Sequence, residues 1–156
     1  MKFDAKVDTA GLTRFRATLE SFSGTFARVG ILGKGGGRKD GKANADLGKI
    51  HEFGDSQRRP AIPERSFLRS PLMTHMQEAV DKKHGPLARA LAAGDTVTFM
   101  ALLGASGMRI SKRAFGNAND GKWPPNAPYT IKMKKGRNRP LIDTGQLRRS
   151  IDFDVV

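Results

Sequence analysis

The sequence predicts an α+β fold in which several helices pack on a small antiparallel sheet, with a mobile glycine-rich loop between them. Three observations carry this expectation. Apolar residues recur at three- and four-residue steps through much of the chain, as on the buried face of a helix. Two short segments differ: 25–32 is rich in β-branched and aromatic residues, and 151–156 alternates apolar with acidic ones, the period of a strand. Between them, residues 33–42 hold five glycines and four basic residues, too little apolar surface to order a chain.

Taken in order, Asp8 or Thr9 caps a first helix running to about Glu20, with Leu12, Phe15, Leu19 and Phe22 on one buried face. Gly24 ends it, and Thr25 to Leu32 is a strand. A glycine-rich run after a strand invites comparison with a phosphate loop. No G-x-x-x-x-G-K-[ST] can be drawn through 33–42, so a solvated loop is the reading. Ala43 to Phe53 is helical with Leu47, Ile50 and Phe53 inward, and Gly54 stops it. Arg58 to Arg65 is extended and punctuated by Pro60 and Pro63.

Ser70 to Ala93 is helical again, with Pro71 tolerated in the first turn and a break or kink at Gly85-Pro86. Asp95 or Thr96 starts the next helix, Val97 to Phe115. Its Met100, Leu103, Met108 and Ile110 point inward, and Gly104 and Gly107 mark close packing or a bend. Arg137-Asn138-Arg139-Pro140 is a turn, because the residue before a proline is pushed out of the helical region. Asp143 then caps a short helix, its carboxylate accepting from the Gln146 amide while the Gln146 side chain reaches back. Leu147 and Ile151 fall four apart on one face of that helix, and the segment from 151 pairs with the first strand or with its own neighbours.

At 156 residues the chain is most simply one structural domain, with 123–156 as a C-terminal module. No apolar run approaches the roughly 20 residues of a membrane span, and the first residues lack the apolar core of a signal peptide, so no membrane partner is expected. Without cysteine there is no disulfide and no thiolate metal site. The formal net charge of +13 favours polyanionic partners. Its distribution is uneven: residues 105–149 carry eleven basic residues against two acidic ones.

Chemistry is sparse. His51, His75 and His84 show no metal-ligand spacing and read as surface or capping residues. The serines lack a G-x-S-x-G elbow. Glu52, Asp55 and Glu64 form the tightest acidic group, but Arg58, Arg59 and Arg65 are interleaved with them, so ion pairing is expected rather than metal binding. No catalytic, cofactor or metal site is expected, and the protein reads as no enzyme. Lys132, Lys134, Lys135, Arg137 and Arg139 follow one another with no acidic residue between Ile131 and Ile142, a basic loop suited to a polyanion or an acidic protein face.

Two blocks of sequence carry a resemblance. Glu52-Phe53-Gly54 followed by Pro60 through Arg69, P-A-I-P-E-R-S-F-L-R, resembles the centre of the small neck or tail-completion proteins of long-tailed bacteriophages. Trp123-Pro124-Pro125, Tyr129-Thr130-Ile131, Lys134 and then Pro140 through Ile151, P-L-I-D-T-G-Q-L-R-R-S-I, resembles the ending of the related virion-morphogenesis family. The blocks stand in the same order as in that family and span about 43–153. Pro125-Asn126 departs from it, standing where those proteins have a leucine and a small polar residue.

The resemblance implies a virion structural protein that forms a homo-oligomeric ring at the head–tail junction or at the head-proximal end of the tail. Assembly would take place in the host cytoplasm. The partners implied are other copies of itself, neighbouring connector, head-closure and tail proteins, and phage DNA in transit. On this reading Arg58, Arg59, Arg65 and the basic loop are assembly or polyanion contacts. Phe67, Leu68, Trp123, Asp143, Gln146, Leu147 and Ile151 are structural anchors. A basic nucleic-acid-binding module is the alternative from another class.

Overall fold

The computed structural model describes residues 9–33 and 43–156. Among them seven helices pack on a two-stranded antiparallel sheet, the α+β class the sequence predicts. In order these are α1 (Thr9–Ser21), β1 (Ala27–Ile31), α2 (Asn44–Phe53), α3 (Arg69–Lys82), α4 (His84–Ala93), α5 (Thr96–Asn117), α6 (Pro128–Met133), α7 (Gln146–Arg149) and β2 (Ile151–Val155). The expected mobile loop lies, beyond Gly33, outside the described residues.

The long helix α5 organises the rest. The Asp95 carboxylate caps it, accepting from the Thr98 amide at 2.9 Å, and burial of Gly104, Ser106, Gly107, Ser111 and Ala114 gives it a small-residue face. The sheet lies on that face. A Cβ on Gly104 would stand 2.5 Å from the Phe153 ring, and one on Gly107 would stand 3.0 Å from Val29, so only glycine admits both strands this closely. β1 and β2 pair with Ala27 opposite Val155 and Ile31 opposite Ile151. Of the two pairings the sequence allows for the last segment, the structure adopts the one with the first strand.

The core is Phe67, Ala114, Phe115, Trp123, Leu147 and Ile151, with Leu68 and Leu141 packed against it. Phe115 meets Phe67 at 5.3 Å and stands edge-on to Trp123 at 5.6 Å between ring centroids. A run of left-handed residues, Ala118, Asn119, Asp120 and Gly121, reverses the chain after α5, and the Trp123 amide returns to the Ala118 carbonyl at 3.1 Å. The indole is thereby delivered onto the helix that precedes it.

Several expectations need correction. The α1 stripe is not buried: Leu12, Phe15 and Leu19 are 61%, 54% and 51% exposed, and only Phe22, edge-on to Phe99, is partly covered. Phe53 is 59% exposed and lies under the Arg69 guanidinium rather than in the core. The expected break in the 70–93 helix is present but lies at Lys83, between α3 and α4, and Pro86 falls in the first turn of α4, where its missing N–H costs nothing.

The Asp143 cap does not form. Gly145, in a left-handed conformation with φ of 75°, precedes α7, so the helix starts two residues later than a box on Asp143 requires. The Gln146 amide faces the Thr144 hydroxyl at 3.4 Å, and Asp143 is exposed, 3.9 Å from Arg137. Leu147 and Ile151 are both buried as expected, but α7 ends at Arg149 and Ile151 opens β2. Their shared burial comes from a helix-to-strand corner, not from one helical face.

Candidate functional site

The two resembling blocks fold into one body, and Glu52 is its centre. The Glu52 side chain is 5% exposed and accepts four hydrogen bonds: from the Ser66 hydroxyl at 2.7 Å and from the amides of Phe67, Leu68 and Arg69 at 2.8, 3.0 and 2.9 Å. Those amides lead into α3, whose first N–H groups have no partner within the helix and whose dipole favours a negative charge there. Glu52 does not pair with Arg58, Arg59 or Arg65; its ion pair is with Arg69, whose Nε stands 3.8 Å from Oε1. Asp55 pairs with Arg58 at 3.1 Å and Glu64 with Arg69 at 2.7 Å, on the surface.

Arg65 also departs from its expected role. It is 6% exposed, and it donates from Nε to the Pro124 carbonyl at 3.0 Å and from Nη2 to the Pro125 carbonyl at 2.7 Å. A guanidinium with Nε and Nη2 committed to two carbonyls ties the blocks together and leaves only Nη1 for an outside anion. Trp123 completes the tie, its indole N–H donating to the Ser66 carbonyl at 2.9 Å. Gly54 permits the approach of the extended segment. Its φ is 73° with ψ of 177°, and a Cβ there would meet Ile62 O and Glu64 N at 2.9 Å.

Between the 60–65 segment and the 124–128 loop the chain leaves a cleft of about 700 Å³. Its rim, including Pro60, Pro63, Pro128 and Thr144, is exposed, and its floor includes the buried Arg65, Asn126 and Leu147. His51 and Lys134 line it as well. The Lys134 ammonium donates to the Arg139 carbonyl at 3.0 Å and the Ile142 carbonyl at 2.9 Å, and burial lowers its pKa. It holds the 134–142 turn closed, so it is not one of a row of free cations. Lys132, Lys135, Arg137 and Arg139 are exposed, as are Arg58 and Arg59.

A second group of positive charge, absent from the sequence-based expectation, gathers between α3 and α5. There a groove of about 320 Å³ is lined by His75, Lys82, Lys83, Arg109 and Arg113, with Glu78 beside them. The residues come from segments about thirty apart in sequence, and only the packing of the two helices assembles them.

Known protein families, curated proteins and solved structures were compared with the chain, and none matches.

His51 is neither a surface nor a capping residue. Its carbonyl accepts from the Arg65 amide at 2.8 Å, and its Nδ1 is buried with no hydrogen-bond partner. Burial first, and then the charges of Arg65 and Lys134, push its pKa down to about 4. The unfolded chain binds this proton near pH 6.5, so stability is complete above that pH and falls as pH drops from about 6.5 to about 4. The loss levels off below that, at roughly 3 kcal/mol in total. Urea unfolding at pH 7, 5.5 and 4 should show this slope in the native chain and a reduced one in His51→Gln. Equal slopes in the two would contradict the assignment. Of the other two histidines, His75 meets Asp120 at 2.7 Å and His84 begins α4.

Among the described residues no three His, Cys, Asp or Glu side chains gather to hold a metal ion, and no helix is long and apolar enough to cross a membrane.

Proposed function

We propose that this chain is a virion structural protein of the neck or tail-completion type, working by symmetric self-association into a ring at the head–tail junction or the head-proximal end of the tail. The observation that carries the reading is the apolar row of α1. Leu12, Phe15 and Leu19 repeat at helical spacing, yet more than half of each side chain faces solvent. Phe26 and Val97 are exposed to a similar degree, at 62% and 61%. Helical patterning of this kind is built to be covered, and contiguous exposed apolar surface is the mark of a protein-binding face. A ring supplies the cover from the next copy. Further support comes from the two sequence blocks, whose residues Glu52, Arg65, Ser66 and Trp123 interlock into one rigid body.

The α3–α5 groove favours the second reading, a basic nucleic-acid-binding protein, because four cations there face one carboxylate. Light scattering on the eluting protein separates the two. The ring reading expects a mass of several subunits that falls to one in Leu12→Glu/Phe15→Glu. A native chain that stays monomeric, and binds duplex DNA with a log K that falls steeply with log salt, would replace it with the second reading.

A further inference from the structure

The geometry points to the 60–65/124–128 cleft as a binding site for a carboxylate carried on an apolar body, most simply an acidic residue of an extended peptide from a partner protein. The inference stands apart from the ring proposal, since the cleft shares no residue with the exposed apolar row of α1.

The cleft floor carries a buried donor that the chain leaves without an acceptor. Asn126 is 8% exposed, and its Nδ2 is buried without a partner. Arg65 spends Nε and Nη2 on carbonyls, and its Nη1 makes no hydrogen bond among the described residues. Lys134 gives two carbonyl contacts and has a third ammonium hydrogen to give. Against these stands one carboxylate, Asp143, which is exposed at the rim and turned to Arg137. A buried amide donor with no acceptor is costly, and so is a pair of cations of which Arg65 is buried and Lys134 half-buried. An incoming carboxylate, acceptor-only and negative, relieves both.

The walls select what carries that carboxylate. Pro60, Pro63, Pro125, Leu47 and Leu141 offer apolar surface to either side of the donors. The prolines are conformationally fixed, so little entropy is lost when a ligand lies against them. A volume of about 700 Å³ is in the range of sites that enclose a drug-sized ligand, and three residues of extended chain span about 10 Å. Arg65 is already clamped in place by Pro124 and Pro125, so the donors are positioned before the ligand arrives.

The test is an array of capped tripeptides, apolar–Z–apolar, with Z as Asp, Glu, Asn or Gln, probed with the full chain and followed by calorimetric titration of the best members. Hexanoate and inorganic phosphate are titrated alongside. Acidic peptides should bind, with their amide twins at least tenfold weaker, and Asn126→Leu should lose the acidic preference. That variant gives up no hydrogen bond and should melt at or above the native temperature. Hexanoate binding as tightly as the best peptide would support the carboxylate site and assign it to a free small molecule. Acid and amide peptides that bind alike, an array with no binder, or phosphate bound in preference to every carboxylate would each overturn the inference.

Discussion

Glu52→Gln should destabilise the chain by about 3–5 kcal/mol, enough to unfold a domain of ordinary stability. The carboxylate takes four donors at 3.0 Å or less with two oxygens and no hydrogen of its own. A glutamine keeps the volume but replaces one oxygen with an N–H₂ group, which would face amides or a hydroxyl that are themselves donors. At least one buried N–H at the start of α3 is then left without an acceptor, and the charge facing the helix dipole is lost. Equilibrium urea unfolding gives the number. A Glu52→Gln protein within 1 kcal/mol of the native chain would mean that water reaches these amides and that the carboxylate is not their main partner.

Trp123→Ala should cost a similar amount, about 3–5 kcal/mol, through lost packing and the cavity that remains. The ring is 6% exposed, stands edge-on to Phe115, and carries an indole N–H that holds the Ser66 carbonyl. Trp123→Phe is the informative companion, since it keeps an aromatic contact while removing that bond and part of the ring volume, and it should fall short of the native chain by less than the alanine variant does, about 1–3 kcal/mol. Wild-type melting of Trp123→Ala, with only self-association impaired, would turn the residue from a core member into an interface anchor.

Helix positions were legible wherever an apolar stripe met a cap that acts alone. Asp95 begins α5 because its own side chain reaches the Thr98 amide, a contact decided within four residues. Gly104 and Gly107 announced close packing, though what they pack against, Phe153 and Val29, lies at opposite ends of the chain. Glu52 takes its partners from fourteen to seventeen residues away, Arg69 among them at 3.8 Å, whereas Arg58, Arg59 and Arg65 are nearer in sequence and point elsewhere. Arg65 and Lys134 were misread for one reason: a cation is a hydrogen-bond donor as well as a charge, and both are used on backbone carbonyls that no sequence pattern announces. For α1 the periodicity was right and the conclusion was not, because periodicity identifies an apolar face without saying which molecule covers it. Asn126 had no signal beyond its departure from the resembling family.

The pairing of Ile31 with Ile151 also sets an order in time. The two lie 120 residues apart, and closing a loop of that length costs about 4 kcal/mol of chain entropy. A ladder of five residues in two strands cannot repay that alone. The sheet therefore forms only once α5 presents its small-residue face, and β2 follows every helix in the chain. On that order, shortening Val155 to alanine should quicken unfolding and leave the folding rate nearly unchanged, and a folding rate that falls in step with stability would place β2 in the folding barrier instead. β2 thus acts as a latch, setting how long the folded chain lasts rather than how fast it is reached.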